Sequence, residues 1–143
     1  MPQITIREME KRDAKRVAEL TRQLTKNIVK PEELQSRIEN AVKQKNAQWI
    51  VAEKDGQVEG SGGLIWYSIH SKGMMGMIEE VVVDQDCRSN GIGQLMVGCL
   101  LKLAEHLGLT QVKLTTANGK AMSLYLKNGF IDKGEILMVK KYY

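Results

Sequence analysis

The chain has 143 residues, of which 43% are hydrophobic and 27% charged, and a formal net charge of +4. That balance is ordinary for a folded chain in water, and the length suits one domain over residues 1–143 that buries roughly two-thirds of its unfolded surface. Two cysteines exclude a disulfide scaffold, the short apolar runs exclude a membrane span, and 5% aromatics without basic–aromatic interleaving exclude a base-stacking nucleic-acid binder.

The start, Met1-Pro2-Gln3-Ile4, has no basic stretch leading into an apolar run, so a cytoplasmic location with Cys87 and Cys99 reduced is expected. His70 and His106 stand isolated, and no metal site is expected. Gln3 to Glu8 reads as an edge strand. From Arg12 to Leu24, Ala14, Val17, Ala18, Leu20 and Leu24 recur at helical spacing. Pro31 suits the first turn of a second helix over Glu32 to Gln44, with Leu34, Ile38, Ala41 and Val42 on one face. Gln48 to Glu53 is a strand, and Asp55-Gly56 is a hairpin turn. Val58 to Tyr67 returns as its partner, weakened or bulged by Gly60, Gly62 and Gly63. Met74 to Val83 is the next strand.

A helix over Gly91 to Leu107 places Ile92, Leu95, Met96, Cys99, Leu100, Leu103 and Leu107 on one face, with Gly108 as its C-terminal cap. Gly98 inside it costs about 1 kcal/mol against alanine, which a close contact would explain. Gln111 to Thr116 is a strand, Gly119 to Lys127 a short helix, and Phe130 to Lys140 a closing strand or hairpin around Gly134. Strands interleaved with helices give an α/β layered domain with a mixed sheet.

The segment with most chemistry runs from Met77 to Gln94. The β-branched run Val81-Val82-Val83 ends at Asp84, and Arg88-Ser89-Asn90-Gly91-Ile92-Gly93 leads into the long helix. A strand feeding a glycine-rich turn into a helix N-terminus binds anions, because the first helical amides lack partners and the dipole adds positive charge there. Gly93 is followed by Gln94 and Leu95, so the Gly-Lys-Ser/Thr of a Walker loop is absent. The third glycine of the dinucleotide fingerprint is also missing.

What fits is Arg/Gln-x-x-Gly-x-Gly/Ala, filled by Arg88, Gly91 and Gly93. It resembles motif A of the GCN5-related N-acetyltransferase (GNAT) family, which cradles the pyrophosphate of acetyl-CoA. A second segment resembles motif B, Asn-x-x-Ala-x-x-Leu/Phe-Tyr-x-Lys-x-Gly-Phe, through Asn118, Ala121, Leu124, Tyr125, Lys127, Gly129 and Phe130. The resemblance covers nearly the whole chain. It implies a mixed, mostly antiparallel sheet of about six to seven strands flanked by about four helices.

It also implies a reaction: acetyl transfer from acetyl-CoA to a primary amine, by direct attack through a tetrahedral intermediate. The main chain of Val81, Val82 and Val83 would pair with the pantetheine arm. Arg88, Ser89, Asn90, Gly91, Ile92, Gly93 and Gln94 would hold the pyrophosphate, with Asn118 and Ala121 completing the cofactor site. Tyr125 would protonate the departing sulfur, its ordinary pKa near 10 keeping it protonated at neutral pH. Glu79 and Glu80 are the carboxylates on the central strand, and either could deprotonate the ammonium or anchor it. Adjacent strand residues face opposite sides, so at most one is expected in a given cleft. Arg22, Lys26 and Lys30 lie where the family's acceptor site often is.

Amino-sugar members of the family carry an acid where this chain has Thr115-Thr116. The expected acceptor is a small-molecule amine. A protein or peptide acceptor, or a noncatalytic acyl-CoA-binding module, are the alternatives. The family frequently forms homodimers, so acetyl-CoA, an amine and a second copy are the expected partners, without nucleic acid or membrane.

Overall fold

The computed structural model describes residues 3–25, 29–88, 90–117 and 119–142. Among these, five strands form one sheet in chain order: β1 (Ile4–Glu8), β2 (Ala47–Lys54), β3 (Gln57–Ile69), β4 (Gly73–Val83) and β5 (Val112–Lys113). The first four pair antiparallel, and β5 joins β4 in parallel. The helices are α1 (Ala14–Leu24), α2 (Pro31–Ala41), α3 (Ile92–His106) and α4 (Gly119–Lys127).

The expectation of six to seven strands is corrected to five. The segment from Phe130 to Lys140 forms no strand, and Ile131, Ile136, Leu137, Met138 and Val139 stand exposed. β-prone residues do not make a strand unless a neighbour accepts their ladder hydrogen bonds. For the same reason the strand expected over Gln111 to Thr116 shrinks to two residues.

The β2–β3 hairpin turns on Asp55 (φ 53°) and Gly56 (φ 79°), the two positive φ values of a type I′ turn. The glycines of β3 do not weaken it: β3 is thirteen residues long. They make room. A Cβ on Gly63 would lie 2.3 Å from the Trp49 ring, and one on Gly60 would lie 3.1 Å from Met96 of α3. A bulge does occur, with Ala52 opposite Gly60 and Glu53 opposite Val58, leaving Glu59 as the extra residue.

The sheet has a core on each face. On one, Ile50, Ala52, Leu64 and Ile78 pack with Ile92, Met96, Leu100 and Ala104 of α3. On the other, Val51, Val58 and Val82 pack with Met9 and with Val17 and Leu20 of α1, and Ile38 of α2 leans on this cluster. The buried stripe of α3 is rotated from the expected one: Leu95 and Leu107 are exposed, whereas Val97 and Ala104 are covered. Apolar residues surround much of this helix, so periodicity alone does not select the stripe that meets the sheet.

Gly108 (φ 71°) ends α3 as expected. Its amide donates to the Glu105 carbonyl (3.0 Å), and that of Leu109 donates to the Ala104 carbonyl (3.0 Å), the double bond of a Schellman cap. Gly98 has no such reason: a Cβ there would meet nothing within 4 Å. Gly98→Ala is therefore expected to stabilise the protein by about 1 kcal/mol, read as a rise of about 3 °C in melting temperature. A fall would show that the position needs its space. No helix among the described residues is long and apolar enough to cross a membrane.

Candidate active site

β4 is the centre of the site. It pairs with β5 only at Gly76↔Val112 and Met77↔Lys113, yet continues to Val83. From Ile78 onward its β5 side faces no strand among the described residues. Apart from the Val83 carbonyl, which accepts from Arg88 Nε, the main-chain groups there are open to a ligand that lies alongside as a strand would.

The register with β3 places Gly63 opposite Glu79 and Ser61 opposite Val82. Glu80 and Val81 thus share Gly62 as partner, which is a bulge, and Glu80 takes φ 56°. A residue with a side chain pays about 1–2 kcal/mol to sit in that region. The extra residue inverts the facing of the rest of the strand. Ile78 packs in the α3 core, Val81 and Val83 lean on that same core, and Val82 packs in the α1 core. Strict alternation from Ile78 would have put Val82 on the α3 face and Val81 on the other.

The bulge changes the facing of Glu80, and of the two carboxylates Glu80 is the one that lines a cavity. Glu79, next to Ile78, turns to the α1 face, and Glu80 lines a cavity between α1 and α2. Glu79 is half-buried, and burial, then the charge of Glu80, push its pKa above the usual carboxylate value.

After Asp84 the chain makes a short 3-10 turn over Gln85–Cys87 and reaches Gly91, the N-cap of α3 (φ 79°). A glycine cap has no side-chain acceptor, and the Gly91 carbonyl accepts from the Leu95 amide (3.1 Å), one turn into the helix. The amides of Ile92, Gly93 and Gln94 are the ones a helix start leaves for an anion. The side chains of two of these residues are engaged elsewhere. Ile92 is 1% exposed in the core, and Gln94 exchanges two 2.9 Å hydrogen bonds with Asn128. Arg88 donates from Nε to the Val83 carbonyl (3.2 Å), folding back to the end of β4, and Asn90 is exposed. Ser89 and Asn118 lie outside the described residues.

A Cβ on Gly91 would meet no atom within 4 Å, but φ 79° disfavours any side chain. Gly91→Val is expected to lose about 1–2 kcal/mol of stability and to weaken acetyl-CoA binding in titration calorimetry. Equal affinity would take the cradle away from this turn.

α4 docks on this helix start. A Cβ on Gly93 would lie 3.3 Å from Leu124, and the Gln94–Asn128 pair ties the two helices. Tyr125, the next residue after Leu124, is 9% exposed and meets Phe130 edge-on at 5.7 Å and 71°. Burial raises its hydroxyl pKa above 10. Ala121 is half-buried and Lys127 exposed on the same helix.

The sequence did not point to Arg16, Glu59 and Asp84, which meet here. Arg16 Nη2 donates to Asp84 Oδ2 (2.6 Å) and Glu59 Oε2 (3.1 Å), and its Nε to the Val58 carbonyl (2.8 Å). The Gln85 amide donates to Gln23 Oε1 of α1 (2.9 Å). Asp84 is 7% exposed, and the Asp86 amide, then Arg16, hold its carboxyl below the usual range. These partners are 43 and 68 residues from Arg16 along the chain, so no local pattern announces them. The Cys87 thiol is pushed above its ordinary pKa by burial and by Glu59. Among the described residues no group of three or more His, Cys, Asp or Glu has metal-holding geometry.

Residues 8–130 match the family model described as Acetyltransferase (GNAT) family. Among solved structures, glucosamine-6-phosphate N-acetyltransferase from Arabidopsis thaliana is 27% identical, with 99% of each chain covered and a TM-score of 0.83. A predicted acetyltransferase from Clostridium acetobutylicum, solved with acetyl-CoA, is 21% identical over 96% of each chain, with a TM-score of 0.80. An aminoglycoside N-acetyltransferase in complex with CoA is 15% identical, covering 100% of this chain and 97% of its own, with a TM-score of 0.83. The last two likenesses are of fold.

Proposed function

The chain belongs to the acetyltransferase (GNAT) family, and from that premise we propose that it is a single-domain cytoplasmic enzyme moving the acetyl group of acetyl-CoA to the primary amine of a small molecule. The observation that carries this reading is the bulge at Glu80. It turns a carboxylate toward the α1 face, which a pure binding module would not need, while the β4 main chain beyond its short pairing with β5 stays open on the other side.

Acetyl-CoA supplies an activated thioester. The diphosphate is held by the amides of Ile92, Gly93 and Gln94 beyond Gly91, with Arg88, Ser89 and Asn90 around it. The pantetheine arm lies along the Val81–Val83 main chain, and Asn118 and Ala121 complete that wall. A β4 amide polarises the thioester carbonyl. Glu79 takes the proton of the ammonium, so that the amine attacks neutral, and Tyr125 gives its proton to the sulfur that leaves. The amine attacks the thioester directly, through a tetrahedral intermediate.

A raised Glu79 pKa sets a pH dependence. The working form is the carboxylate, so kcat/KM is expected to fall as pH drops through a value above the ordinary carboxylate range, and Glu79→Gln to remove that limb along with most turnover. The stability sign is opposite. A carboxyl raised in the folded state stabilises below its unfolded pKa, and that contribution is gone above the folded one. Glu79→Gln is thus expected to melt higher at pH 7 while turning over more slowly.

Thiol release from acetyl-CoA across a panel of small amines and peptides tests the function. Turnover with peptides alone moves the acceptor to protein. Tight acetyl-CoA binding without any turnover makes the chain a binding module. The proposal includes a homodimer, which would cover the exposed run Ile136-Leu137-Met138-Val139; a monomer in sedimentation equilibrium removes it.

A further inference from the structure

The side of the site away from the cradle carries information about the acceptor. Between α1 and α2 lies a cavity of about 130 Å³. Thr21 and Arg22 of α1, Leu34 and Arg37 of α2, and Val29 between the helices form its helical wall, and Glu80 is its sheet wall. Glu80 reaches it only because of the bulge, since its positive φ breaks the alternation of β4.

The two walls have opposite charge. Glu80 is one carboxylate, and Glu79 is its neighbour on the strand, its pKa raised by burial and then by the charge of Glu80. Opposite are two guanidinium groups from different helices. Arg37 Nη2 already binds Glu33 Oε1 at 2.8 Å. Arg22 is exposed, and no ion pair joins it to an acid among the described residues; a guanidinium carries five donors. Val29 and Leu34 are the apolar residues of the lining.

We propose, on the premise of acetyl transfer on which this inference rests, that the acceptor is a small zwitterion: a primary amine within a few bonds of a carboxylate or phosphate group. The ammonium faces Glu80 and Glu79, and the anionic group faces Arg22, with Arg37 as the second donor. Guanidinium binds both anions in a two-pronged geometry, so the cavity selects their shared chemistry. The volume is only that of about four bulk water molecules. A compact amine fits, or the amine-and-anion end of a larger one. A polycationic acceptor would bring its further ammonium groups against Arg22 and Arg37, which disfavours it.

Three probes that differ in one substituent test this: ethanolamine, β-alanine and 2-aminoethyl phosphate. The expected result is a kcat/KM for one or both anionic amines at least tenfold above that for ethanolamine. The pair also separates a carboxylate from a phosphate preference. In Arg22→Gln the ratio is expected to collapse toward one, in Arg22→Lys to fall part of the way because lysine keeps the charge but not the fork, and added salt to shrink it. A wild-type ratio near one, or a ratio untouched by both Arg22→Gln and Arg37→Gln, overturns the proposal while acetyl transfer stands. If no amine turns over, titration of 2-aminoethyl phosphate and β-alanine into protein saturated with acetyl-CoA decides the point. Binding that Arg22→Gln abolishes supports the zwitterion site even as acetyl transfer falls, and no binding of either probe overturns it.

Discussion

Tyr125→Phe is expected to lower kcat about a hundredfold while leaving the affinity for acetyl-CoA within twofold. The size is that of a single general acid. The substitution keeps the ring, so the edge-on packing against Phe130 at 5.7 Å survives and only the hydroxyl is lost. Burial at 9% exposure holds the hydroxyl pKa above its ordinary value, which favours the protonated form that an acid needs. An acid matters most when the leaving thiolate is basic. The deficit is therefore expected to shrink with acetyl thioesters of more acidic thiols. Single-turnover kinetics and calorimetry provide the two numbers, and an unchanged kcat takes Tyr125 out of the acid role.

Arg16→Met is expected to act on both stability and cofactor affinity. Its guanidinium joins Asp84 at the end of β4, Glu59 at the β3 bulge and the Val58 carbonyl, just before the chain enters the cradle. Methionine leaves Asp84, 7% exposed, without its cationic partner. Breaking such a pair costs about 3 kcal/mol, which denaturant unfolding will read. The turn also loses its anchor on α1, and the acetyl-CoA dissociation constant is expected to rise about tenfold. An unchanged dissociation constant for the folded fraction would reduce Arg16 to a purely structural role. Asp84 has a lowered carboxyl pKa, so it stabilises above its unfolded value, and that contribution is lost as pH falls through the lower folded one. In Arg16→Met this acid-side loss is expected to be smaller.

Much of the site could be read along the chain because its parts are local. The helix over Gly119 to Lys127 coincides with α4, and the helix over Gly91 to Leu107 with α3 to within a residue at each end. Gly91, as a cap with no side chain, and Gly108, as the residue that closes α3, act through their own backbone, which is why spacing betrays them. The hairpin at Asp55-Gly56 belongs with them. Each depends on φ, on missing partners or on a short turn, and all three are set within a few residues.

Other features had no local cause. The β4 bulge arises from pairing with β3, and it decides the facing of Glu80. Arg16, Glu59 and Asp84 meet because three elements distant in sequence converge. Residues 131–142 hold strand-forming side chains, yet without a neighbour they form no strand. What the amino-acid order determined alone is the glycine turn at Gly91, its helix and the tyrosine helix after it, because hydrogen-bond supply and backbone freedom there are short-range. What only the tertiary structure decided is the facing of Glu80, the anchoring of the Asp84–Gln85 turn on α1 and the charge of the cavity between α1 and α2. Those depend on register and on contacts between segments that meet only when the sheet has assembled.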